Sequence, residues 1–199
     1  MRRDDKKALK RQRLLESAVT VFARDGFHQA RISDIATEAG VGHGTFYLYF
    51  DGKEEVLLAI HDELMKQALD EVRHATSTGT NAVEKLELLT RALYKMVEEN
   101  RALTQLLLVE SRYMRQFMRS GAMNRIQDFV DFVEEILREG VEEGTFRPDM
   151  HAKSVATFLF SGMDGVITRW LLGDTMEPLQ EQLEGATRVI LRGILNESD

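Results

Sequence analysis

Residues 31–50 read Arg-Ile-Ser-Asp-Ile-Ala-Thr-Glu-Ala-Gly-Val-Gly-His-Gly-Thr-Phe-Tyr-Leu-Tyr-Phe, and this stretch decides the fold. Ile32, Ile35 and Ala36 give a first short helix, predicted over 33–39, a narrow apolar face. Ala36 is small where a second helix must cross closely. Gly40 supplies the positive φ of a tight turn, and Val41 plugs the corner between the helices. The second helix is predicted over 43–50, where Phe46 and Phe50, four apart, anchor it to a core. That leaves Gly42, His43, Gly44, Thr45 and Tyr47 pointing outward. Two glycines in so short a helix cost roughly 1 kcal/mol each against alanine. A surface that tolerates them needs its backbone to approach something closely. The physical match is a helix-turn-helix that lays its second helix in a DNA major groove.

On either side of this motif the periodicity is helical. Leu15, Ala18, Val19 and Phe22 form one stripe of a preceding helix that stops at Gly26. Asp51-Gly52 is a turn, and Lys53 opens a long helix with Leu57, Ile60, Leu64, Ala68 and Val72 on one face. The polar stretch 75–81 is a loop. Further helices are predicted over 82–99, 101–120, 123–143, 150–173 and 177–195, with Pro178 in a first turn. No segment alternates with period two for long enough to make a strand. The expected fold is all-α: an N-terminal three-helix DNA-binding domain (1–52) and a larger helical body for ligand binding and dimerisation (53–199).

The 199 residues are 43% hydrophobic and 30% charged, a globular composition. The absence of cysteine excludes disulfides, zinc–thiolate sites and a thiol nucleophile. A net charge of −7 hides an asymmetry: residues 1–53 hold ten Lys/Arg against seven Asp/Glu, and the remainder sixteen against twenty-six. A basic head precedes an acidic body, the electrostatic footprint of a nucleic-acid contact at one end. The densest cationic run, Lys and Arg within residues 2–13, reads as an arm that meets DNA backbone or minor groove. No apolar stretch is long enough to span a membrane, because Asp164 and Arg169 interrupt the best one. The expected location is the cytoplasm.

Gly26-Phe27, Asp34-Ile35-Ala36, Ala39-Gly40-Val41, Gly44-Thr45-Phe46-Tyr47-Leu48-Tyr49-Phe50 and Lys53-Glu54 together resemble the TetR family of bacterial transcriptional regulators. The wording Gly26-Phe27-His28-Gln29 is similar to the branch that contains fatty-acid-degradation repressors. So are Leu103-Thr104-Gln105-Leu106, the Glu139-Gly140 to Gly144 segment and Trp170. Where the family usually has Thr and Ser, this chain has Arg31 and Gly42, so Ser33 becomes the candidate helix cap. The resemblance implies a ligand-responsive, sequence-specific repressor that binds a palindromic operator as a homodimer.

The candidate DNA-binding residues are Arg31, Ser33, Gly42, His43, Gly44, Thr45, Tyr47, Tyr49 and Lys53. His43 and Thr45 can reach base edges, Thr45 through a hydroxyl and a methyl. Tyr47, Tyr49, Arg31 and Lys53 are placed to meet phosphates. In the body, Leu183, Ala186 and Ile190 continue a heptad-like seam, and Leu159, Gly162 and Val166 repeat one on the preceding helix. Core packing within one chain is the simpler reading of that spacing; the resemblance implies a dimer interface. Seven of nine methionines lie beyond residue 90, and six of ten phenylalanines beyond residue 110. The resemblance makes Met96, Leu107, Phe129, Phe158 and Met163 candidate pocket residues. Arg112 and Arg115 would then meet an anionic head group. The expected effector is a hydrophobic small molecule, such as a long-chain acyl-CoA.

Two other classes compete. A ligand-independent architectural DNA-binding protein would have a filled body, and a related sensor would take a different hydrophobic or cationic molecule. No phosphate loop, His-x-x-x-His pair or nucleophile elbow supports an enzyme, and no metal or cofactor is expected.

Overall fold

The computed structural model describes residues 3–110, 122–173 and 176–196. Nine helices run through them: α1 (Arg3–Asp25), α2 (Ile32–Glu38), α3 (His43–Phe46), α4 (Lys53–Thr76), α5 (Ala82–Glu99), α6 (Arg101–Glu110), α7 (Ala122–Glu142), α8 (Ala152–Leu171) and α9 (Leu179–Ile194). They form two compact units, one of residues 1–64 with 102–122, the other of residues 65–101 with 123–199.

The first unit closes around one apolar core. Leu14, Leu15, Ala18, Val21 and Phe22 supply the buried side of α1, and Ile35 of α2 joins them with Ala39, the C-cap of that helix. Phe46, Phe50, Val56, Leu57 and Ile60 complete it from the motif and α4. Leu107 of α6 belongs to the same core, with Leu103 and Leu106 packed against it. Leu107, expected to line a pocket, is buried in this core.

The second helix of the motif is shorter than its periodicity predicts, four residues in place of eight. After Phe46 the backbone tightens, with Leu48 N–H donating to Thr45 (3.2 Å) and Tyr49 N–H to Phe46 (2.9 Å). These three-residue spans are tight turns, and they keep the rings of Phe46 and Phe50 in the core 5.8 Å apart.

In the second unit α9 packs against α5 and α8. The Thr90 and Thr187 hydroxyls, both buried, meet at 2.9 Å between α5 and α9. The Phe129 and Phe160 rings pack at 5.6 Å. Asn81 caps α5 by accepting from Glu84 N–H (3.0 Å), and His151 Nδ1 caps α8 by accepting from Ser154 N–H (3.3 Å). Pro178 occupies the N-cap position of α9, one residue before the first turn it was expected to enter. An isolated antiparallel bridge joins Phe146 to Leu195, with Asn196 N–H donating to Thr145 (2.9 Å). Phe146 lies so close over Gly140 that a methyl there would also come within 2.8 Å of the Ala82 Cβ.

Three body expectations change. Phe158, a candidate pocket residue, stands 66% exposed. Leu159 and Leu183, candidate dimer contacts, are buried inside the single chain. The buried side of α8 carries Ala156, Leu159, Met163, Ile167 and Leu171, so Leu159 belongs to the core while Gly162 and Val166 stand beside that side.

Candidate nucleic-acid interface

Gly40 adopts φ +65°, the left-handed conformation that favours glycine, and Val41 N–H donates back to Ala36 at 2.9 Å. This turn places α3 across α2 with Ala36 buried at the crossing. A Cβ on Gly44 would touch nothing, and one on Gly42 would make only an ordinary 3.8 Å contact with Thr45 Oγ1. Packing within the chain therefore does not require either glycine. The bare backbone faces outward.

Arg31, Ser33, His43 and Lys53 line one open hollow of about 530 Å³ beside this turn, together with Asp51, Gly52 and Glu54. The His43 ring packs edge-on against Tyr47 at 5.3 Å, and Tyr47 in turn packs against the buried Phe46 at 5.5 Å. Tyr47 remains about half exposed at 49%. Thr45 is half-buried, and Tyr49 packs its ring partly against the core.

The Ser33 expectation is corrected, and Lys53 makes contacts the spacing did not announce. Ser33 does not cap α2: Arg31 holds the N-cap position without a side-chain bond, while the Ser33 hydroxyl donates to Asp34 Oδ1 (3.3 Å). Lys53, expected at a phosphate, makes bonds within the chain. Its ammonium donates to the carbonyls of Phe27 (2.8 Å), His28 (2.8 Å) and Ala30 (3.3 Å), and lies 4.9 Å from the Phe27 ring centre. An ammonium has three donors, and all three tie the start of α4 to the α1–α2 loop. Sequence spacing held no sign of this, since the partners lie 23 to 26 residues away.

The matched family models are those of bacterial regulatory proteins of the tetR family over residues 14–60 and of the YsiA-like C-terminal region over residues 61–193. The fatty acid degradation regulator FadR from Bacillus halodurans superposes with a TM-score of 0.81 at 30% identity, over 92% of this chain and 95% of that one. The chain belongs to the TetR family. The transcriptional regulator FadR from Bacillus subtilis, solved with stearoyl-CoA, gives 0.80 at 26% identity, over 92% and 98%. Thermus thermophilus FadR, a TetR-family repressor solved with lauroyl-CoA, gives 0.75 at 28% identity, over 95% and 97%.

This TetR-family chain is thus a DNA-binding transcriptional regulator, with its helix-turn-helix in residues 32–46. In the body of the regulator, Phe129 and Met163 are buried and Met96 is half-buried, all within the second unit. Arg112 and Arg115 lie outside the described residues. The Arg101 guanidinium covers the Trp170 ring at 4.2 Å, a pairing no local spacing announces. Gly162 is exposed, and Val166, Ala186 and Ile190 are half-buried.

Proposed function

We propose that this regulator acts in the cytoplasm as a homodimeric repressor on a palindromic operator, and that a long-chain acyl-CoA releases it. The carrying observation is the convergence of Arg31, Ser33 and His43 on one hollow beside the bare backbone of Gly42 and Gly44. His43 and Thr45 read base edges, Tyr47 and Arg31 grip phosphates, and Lys53 holds the loop that carries Arg31. Tyr49 adds a phosphate contact from the partly exposed edge of its ring. Residues 1–52 serve as the DNA-binding domain and 53–199 as the sensing and dimerising body.

The dimer reading is supported by a face that one chain leaves uncovered. Phe158 and Val189 are exposed, and Gly162, Gly165 and Gly193 have open space where a side chain would sit. Small residues beside exposed apolar ones let a second copy of α8 and α9 approach, and a twofold pair presents two recognition helices to two half-sites. Gly162, Val166, Ala186 and Ile190 contribute to that contact, with Phe158 and Val189 in place of Leu159 and Leu183. The effector reading is supported by the relatives solved with stearoyl-CoA and lauroyl-CoA, and by the buried Phe129 and Met163. Selection of bound genomic fragments tests the operator. An inverted repeat bound by two chains is expected, and fragments with no shared repeat would overturn the reading.

A further inference from the structure

We infer that the N-terminal part of α1 is a second nucleic-acid contact: a cationic helix side that runs along the phosphate backbone beside the half-site and binds it whatever its sequence. The inference rests on the head being a DNA-binding unit, and it adds an element outside the helix-turn-helix.

The register of α1 carries the argument. Leu14, Ala18 and Val21 face the core, and Lys10 and Lys7 precede Leu14 by four and seven residues. Arg11 stands in the same relation to Leu15. Lys6, Lys7, Lys10 and Arg13, at successive spacings of one, three and three, share one side of the helix, and that side borders the one that is apolar over residues 14–22. One contact confirms the register: the Arg11 guanidinium lies 5.2 Å from the ring centre of Phe50, the last residue of the motif. Past that point no part of the described chain covers the helix, and Lys6, Lys7, Lys10 and Arg13 are all exposed.

Among the described residues none of these four cations makes an ion pair, whereas Arg24 at the other end of the same helix pairs with Asp25 (2.9 Å) and Glu38 (3.8 Å). Lys6 to Arg13 spans about 10 Å at about 1.5 Å per residue. One DNA strand offers a phosphate about every 3.4 Å of axis, so about three phosphates match that length. An anionic membrane fits less well, because Leu9 is the one large apolar side chain in residues 5–13 and no apolar face exists to insert.

The test uses the full chain with Lys6, Lys7, Lys10 and Arg13 all replaced by Gln. Binding to a selected operator fragment and to an unrelated duplex is measured between about 50 and 200 mM salt. The slope of log affinity against log salt becomes shallower by about 0.9 per lost phosphate contact, so by roughly two to four per chain, on both duplexes. The preference between the duplexes and the thermal melt stay unchanged. A second variant with the three lysines replaced by Arg keeps the original slope. An unchanged slope in the Gln variant overturns the inference, as does a loss confined to A/T-flanked sites or to vesicles of anionic phospholipid. A shallow slope in the Arg variant also overturns it. If the unmodified chain prefers no duplex, the operator reading fails while the slope comparison still decides this one.

Discussion

The Lys53 ammonium lies 2.8 Å from the carbonyl oxygen of Phe27 and 4.9 Å from the centre of its ring. One side chain thus fixes both the backbone and the aromatic anchor of the loop that precedes α2. The consequence is indirect control of Arg31, which begins that helix.

Replacing Lys53 with Met keeps much of the aliphatic stem and removes the three donors. The head should lose about 1–3 kcal/mol, the usual cost of leaving buried or part-buried acceptors without a charged donor. DNA affinity should fall on every sequence alike, because the loop moves and no base contact is deleted. Thermal unfolding together with binding to two unrelated duplexes checks both halves. A variant with a normal melt and weakened binding would return Lys53 to the phosphates.

His43 and Tyr47 should separate by their effects. With His43 at a base edge as proposed, His43→Ala should reduce discrimination between operator variants by about 1–3 kcal/mol. Tyr47→Phe keeps the ring that packs against His43 at 5.3 Å but loses the hydroxyl, so affinity falls on all sequences while preference is retained. Binding across a panel of single-base operator variants reads the difference.

His61 gives the head a pH dependence. It is 4% exposed, and burial holds its imidazole below the ordinary histidine range, with Asp62 opposing more weakly. The unfolded chain therefore takes up a proton at a higher pH than the folded one. Stability is complete above about pH 6.5 and declines as pH falls toward the lowered folded value, by at most about 1.4 kcal/mol per pH unit for one proton. Melting His61→Gln and the unmodified chain from pH 7.5 to 5.5 should show a flatter profile for the variant. Parallel profiles would remove His61 as the cause.

Gly140→Ala should destabilise the second unit by about 1–3 kcal/mol, since the added methyl meets the Phe146 ring and comes within 2.8 Å of Ala82 Cβ. Denaturant unfolding with a reduced midpoint and an unchanged slope is the expected result.

What the sequence made legible was local. Phe46 and Phe50 announced their burial by a spacing of four, and Gly40 its turn by standing between two short apolar faces. The bonds of Lys53 to residues 27–30 were invisible because they join segments far apart in the chain. Leu107 sits in the head core although its sequence position falls in the body, and no periodicity reports which core an α6 stripe will join. Phe158 and Leu159 are neighbours of equal hydrophobicity, yet one is exposed and the other buried. Only the packing of α9 on α8 decides between them.

The most direct measurement is release of the regulator from a labelled operator fragment by acyl-CoAs of increasing chain length, followed by fluorescence anisotropy. A ligand that binds the DNA-incompetent state about a hundredfold more tightly, a difference of about 2.7 kcal/mol, shifts the equilibrium enough for control. Long chains should release the fragment at lower concentration than short ones, and free coenzyme A should not release it. No release at any chain length, with a ligand of another chemical class displacing the protein instead, would contradict the account.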